Sequence, residues 1–97
     1  MEGRGGDRMT SVRDLANIGS VVAAELESVG IETAEELRAL GSVRAGIVLK
    51  ANHFHVCASK LYGLEGAIRG VRWHDIPEDE RRRLRRELEG FGGDSQG

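Results

Sequence analysis

Residues 15–26 read LANIGSVVAAEL, and this stretch decides the architecture. Leu15 and Ala16 close a short helical pattern that starts near Ser11, with Thr10 or Ser11 as its cap. Asn17-Ile18-Gly19 reads as a turn, because Gly adopts dihedrals that other residues avoid and Asn tolerates the left-handed region. A second helix is expected from Ser20 to Ser28, with Val22, Ala23, Leu26 and Val29 recurring at helical spacing. Two short helices joined by a tight turn give the outline of a helix-hairpin-helix, a device that often grips nucleic-acid phosphates.

A phosphate-gripping hairpin turns on Gly-apolar-Gly, so that amides at the start of the second helix point at a phosphate oxygen. Here the turn is Asn17-Ile18-Gly19-Ser20, and no basic residue follows it. The nearby charges, Arg13, Asp14, Glu25 and Glu27, cancel and then become acidic. Phosphate binding draws on cations and the counterions they displace. The turn therefore reads first as a structural corner, with Asn17, Ile18, Gly19 and Ser20 kept as candidate phosphate contacts.

Outward from the hairpin, Gly30 suits a helix stop and Ile31 returns to the core. Thr33-Ala34-Glu35-Glu36 fits a capping box, and Ile31 with Leu37 fits a hydrophobic staple. This third helix should end at Gly41. Ser42 is expected to cap a fourth, with Val43, Ile47, Val48 and Ala51 as its apolar set. The longest helix should start near His55, because Cys57, Leu61, Leu64, Ile68 and Val71 are spaced four, three, four and three. Gly63, Gly66 and Gly70 within it cost about 1 kcal/mol each against Ala, which close approach of another helix would offset. Trp73 is expected to plug the core. Asp75-Ile76-Pro77-Glu78 is a helix start, and the last helix runs to about Glu89 with Leu84 and Leu88 inward.

The chain has one proline and no alternation of period two. The expected fold class is therefore all-α: five to six short helices in a compact bundle. Ninety-seven residues suffice for one domain, placed at 10–89. Residues 1–9 and 90–97, rich in Gly and poor in apolar side chains, are expected to be disordered tails. No 18-residue apolar run suggests a membrane span, and no apolar leader is visible. A single cysteine, Cys57, cannot form an internal disulfide and fits a cytoplasmic location.

The net charge of −2 conceals a gradient. Residues 1–41 are acidic. Residues 42–74 hold Arg44, Lys50, Lys60, Arg69 and Arg72 against Glu65 alone. Residues 75–97 are mixed. A nucleic-acid surface, if there is one, is best placed on this middle, with Lys50, Lys60, Arg69 and Arg72 as its cations. The run RRRLRR at 81–86 is less informative, since Glu78–Arg82, Asp79–Arg83, Arg83–Glu87 and Arg85–Glu89 share helix faces. His53, His55 and Cys57 alternate, and on a helix alternate residues diverge, so no metal site is expected. Nor does any residue pattern indicate catalysis or a cofactor. Val21 and Val22 cannot both face the core, so one is a candidate contact for a partner.

At LYGLEGAIRGVRWHDIP (61–77) the sequence resembles the C-terminal domain of the TfoX/Sxy regulators of natural competence. The similarity continues through LANIGSVVAAELESVGIETAEELRALG (15–41). It implies an all-helical domain of the helix-hairpin-helix or SAM-like kind. In two-domain members this domain follows a mixed α/β domain, so a stand-alone copy is expected. More loosely, the hairpin resembles the C-terminal domain of the RNA polymerase α subunit. The resulting expectation is a bacterial, non-enzymatic regulatory or adaptor domain, monomeric or homodimeric. Its partner would be a protein ahead of nucleic acid, and a weak, sequence-tolerant DNA- or RNA-binding hairpin is the alternative.

Overall fold

A computed structural model describes residues 10–93, with side chains to Gly90. The described chain is all-α. Its helices are α1 (Ser20–Ser28), α2 (Ala34–Leu40), α3 (Ser42–Ala51), α4 (Ala58–Arg69) and α5 (Glu78–Gly93). Short 3-10 turns occupy Val12–Asp14 and Trp73–Asp75. The expected tails at 1–9 and 94–97 lie outside the described residues, whereas 90–93 continue α5 beyond its expected end at Glu89.

Local chemistry explains most boundaries. Ser11 accepts a hydrogen bond from the Arg13 amide and starts the first 3-10 turn, which replaces the expected helix from Ser11 to Ala16. Asn17 takes φ 71° and Gly30 takes φ 89°, turning the chain before and after α1. The capping box at Thr33 is complete: its hydroxyl accepts from the Glu36 amide, and the Glu36 carboxylate accepts from the Thr33 amide. The segment before the hairpin is tied to this cap, as Val12 N–H donates to the Glu32 carbonyl at 3.0 Å and Ala34 N–H to the Thr10 carbonyl at 2.7 Å.

Several expectations are corrected. Ser42 is the first residue of α3 and does not cap it; Gly41, at φ 90°, makes the junction. The buried face of α3 is Ser42, Ala45, Gly46 and Leu49, and the expected apolar set is half-buried at Val43, Ile47 and Val48 and exposed at Ala51. Small residues are selected there by close packing: a Cβ on Gly46 would lie 3.3 Å from Leu88 and 3.6 Å from Val56. Helix α4 starts at Ala58, with Cys57 exposed at its N-cap and outside the core. Gly70 is its left-handed C-cap, so Val71 lies beyond the helix and is 37% exposed. The longest helix is α5, with 16 residues against 12 in α4. Trp73 is half-buried and sits on the rim of the core, its ring centroid 5.6 Å from that of Tyr62.

The core has two parts. The larger gathers Val12, Ile18, Ala23, Leu26, Ile31 and Leu37 with Leu49, Leu64 and Ala67. The smaller holds Leu61, Tyr62, Leu84 and Leu88 and fixes α5 to α4. Leu84 and Leu88 thus face inward as their spacing predicts. Removing apolar area of this kind from water stabilises by about 25 cal/mol per Å².

Candidate functional site

Ile18 anchors the hairpin turn in the protein, while Asn17, Gly19 and Ser20 are exposed. Ile18 is buried in the larger core. The Asn17 side-chain amide donates to the Val71 carbonyl at 2.8 Å. A Cβ on Gly63 would lie 3.4 Å from the Asn17 carbonyl oxygen, and one on Gly66 would lie 2.6 Å from the Asn17 amide nitrogen. The α4 glycines therefore make room for this turn and not, as expected, for a neighbouring helix. Gly19 is the N-cap of α1 and, like Ser20, is exposed.

The four cations of the basic middle are not equivalent. Lys60 donates to Glu25 Oε1 at 2.7 Å and to the His55 carbonyl, with 14% and 17% of the Lys60 and Glu25 side chains exposed. Arg69 lies 2.7 Å from Glu65 and 2.7 Å from Glu80. The bonds that Arg69 donates to Glu65 and then to Glu80 raise its pKa above the ordinary value, against a smaller opposing effect of burial. The second Glu65 oxygen accepts from Ser42 Oγ at 2.6 Å, so one network ties α3, α4 and α5 together. Lys50 and Arg72 are exposed and make no ion pair among the described residues. Sequence spacing reveals the Glu65–Arg69 contact alone, because the other acids come from distant elements.

On α5, Glu78–Arg82 and Arg83–Glu87 approach to 3.7 and 3.8 Å, beyond hydrogen-bond distance and exposed. Such pairs contribute about 0–1 kcal/mol. The Arg81 guanidinium instead lies over the Tyr62 and Trp73 rings, at 5.7 and 5.6 Å from their centroids, and His74 stacks on Trp73 at 4.0 Å. This aromatic arrangement is non-local and has no spacing signature.

His53, His55 and Cys57 lie in the connection between α3 and α4, all exposed. No group of three or more His, Cys, Asp or Glu side chains that could hold a metal occurs among the described residues. A depression of about 480 Å³ is lined by Lys50, His53, Phe54, His55 and Val56. A second, of about 360 Å³, is lined by Leu40, Arg44, Ile47 and Val48. Sequence reasoning missed this second surface. Its available signal was the absence of any acid between Glu36 and Glu65 combined with branched residues on α3. Of the two adjacent valines, Val21 is 69% exposed and Val22 packs against the larger core. No helix of the described chain is long and apolar enough to cross a membrane.

The family model for the TfoX C-terminal domain matches residues 8–88. A crystal structure of an uncharacterized protein from Listeria monocytogenes, triclinic form, is 37% identical; the match covers 87% of this chain and 96% of that one, with a TM-score of 0.79. A crystal structure of a protein of unknown function from Listeria monocytogenes, tetragonal form, is 38% identical over 80% of this chain and 96% of that one, with a TM-score of 0.75. No curated protein matches.

Proposed function

Because the chain belongs to the TfoX C-terminal domain family, we propose that it is a non-enzymatic regulatory or adaptor domain that acts by binding a protein partner. The family link to transcription and competence regulation enters this reading as its biological setting. One observation carries the choice of protein over nucleic acid: internal acids engage two of the four cations best placed for phosphate. Lys60 is held by Glu25, and Arg69 is held between Glu65 and Glu80. Counterion release from a duplex requires several available cations, each contributing to the salt dependence. The Asn17 side-chain amide of the hairpin turn is also engaged, by the Val71 carbonyl. Apolar surface, by contrast, remains outward at Val21 and along α3.

The alternative is weak, sequence-tolerant binding of DNA or RNA through exposed Lys50 and Arg72, with Asn17, Ile18, Gly19 and Ser20 as the second contact. Fluorescence anisotropy of a labelled mixed-sequence duplex, titrated at about 50 and 200 mM salt, separates the two. No binding at the lower salt is the expected result. Binding that falls steeply with salt and is lost on reversing Lys50 and Arg72 would overturn the protein reading.

A further inference from the structure

We infer that the outer face of α3, with the depression between Leu40, Arg44, Ile47 and Val48, docks an acidic amphipathic helix of the partner protein. The inference rests on the protein-binding reading above and assigns it a surface and a ligand chemistry. Helix α3 buries its small side, Ser42, Ala45 and Gly46 with Leu49, because Leu88 and Val56 crowd Gly46. Ile47 packs against the smaller core from the flank of the helix, and Val48 is left half-buried on the outward side. An amphipathic surface helix ordinarily turns its bulky apolar residues to the core. Here Ile47 and Val48 also border a depression of about 360 Å³, which Leu40 completes from the end of α2.

The charged residues that α3 itself places at or beside this depression are basic. Arg44 lines it and is exposed, and Lys50 is exposed one turn beyond Ile47. No Asp or Glu occurs between Glu36 and Glu65 in the sequence, and neither Arg44 nor Lys50 makes an ion pair among the described residues. An apolar depression with basic residues beside it complements a helix that carries apolar anchors at i, i+3 or i+4 and acids on its flanks. A phosphate backbone matches it less well. It would leave the apolar wall unused and meet two cations, fewer than a stable duplex contact requires.

The test uses the full chain, labelled with ¹⁵N, and a synthetic acidic peptide of about 18 residues with Leu at heptad positions and Glu on the flanks. A twin peptide with Lys in place of every Glu, and a mixed-sequence duplex, form the other arms. The expected result is saturable amide shifts centred on Leu40, Arg44, Ile47 and Val48 with the acidic peptide alone. Arg44→Glu should weaken that binding about tenfold through charge reversal. Val48→Asp should abolish it while circular dichroism retains the helix content. Equal binding of the Lys twin, shifts centred on Val21, or no shifts at about 1 mM peptide would each overturn the inference. Shifts centred on Val21 would do so while leaving protein binding in place. A salt-steep duplex response would overturn the protein reading itself.

Discussion

Two turns in this domain place a non-glycine residue at almost the same left-handed dihedral, Asn17 at φ 71° and His53 at φ 72°. Their surroundings differ. Asn17 is built into the fold: its amide donates to Val71, and its carbonyl oxygen faces Gly63 of α4. His53 closes α3 through backbone hydrogen bonds, His53 N–H to the Lys50 carbonyl and Phe54 N–H to the Leu49 carbonyl, with its side chain exposed beside a depression. The left-handed conformation costs a non-glycine residue about 1–2 kcal/mol. At Asn17 a tertiary hydrogen bond offsets that cost. At His53 backbone geometry alone sustains it. Equivalent dihedrals are thus expected to respond differently to relief of the backbone.

The largest way to break this comparison is Gly66→Ala. Helix propensity favours Ala by about 1 kcal/mol. The added Cβ, however, would lie 2.6 Å from the Asn17 amide nitrogen and 2.7 Å from the Val71 carbonyl oxygen, part of the backbone. A net loss of about 2 kcal/mol is expected from such overpacking, read as a lower urea midpoint. A stabilised variant would mean that the turn is not locked against α4.

The next effect comes from making one substitution at both turns. Asn17→Gly should destabilise by about 1 kcal/mol, because relief of the dihedral does not replace the hydrogen bond to Val71. His53→Gly should stabilise by about 0.5 kcal/mol, since it relieves the dihedral and loses no partner, against some gain in unfolded-chain entropy. Thermal unfolding of the two variants reads the signs, and equal signs would dissolve the contrast. Lys60→Met sharpens the comparison at the second turn, since Lys60 holds the His55 carbonyl and Glu25 together. A loss of about 1 kcal/mol is expected from the unpaired, partly buried carboxylate, measured by chemical denaturation. The smallest effect belongs to Val21→Asp, one residue into α1 and 69% exposed. Its stability should stay within about 0.5 kcal/mol of the parent, which would confine the lock to the turn itself.

The elements that were legible in the sequence are those whose causes lie within a few residues. The capping box at Thr33, the stops at Gly30 and Gly41, the turn at Asn17 and the inward pair Leu84 and Leu88 all have local signatures. The apolar stripe of α4 was half legible. Leu61 and Leu64 are buried, but Cys57 and Val71 fall outside the helix ends and face solvent. The candidate surfaces were read less well. Lys60 looked unpaired because its acid, Glu25, is 35 positions away. Of the apolar set read on α3, Val43 and Ile47 do pack against the smaller core, whereas Val48 looked the same by spacing and borders the depression instead.

Sequence alone therefore determined that the chain is helical, where most helices start and stop, and that no acid lies between Glu36 and Glu65. Hydrogen-bond caps, glycine dihedrals and apolar periodicity are short-range causes, so they can be read without knowing where the chain folds back. Tertiary structure decided which side of α3 is buried, which cations remain available and what the α4 glycines accommodate. Each of those outcomes depends on close packing between residues distant in sequence. Leu88 and Val56 select the small face of α3, and the Asn17 turn occupies the space left by Gly63 and Gly66.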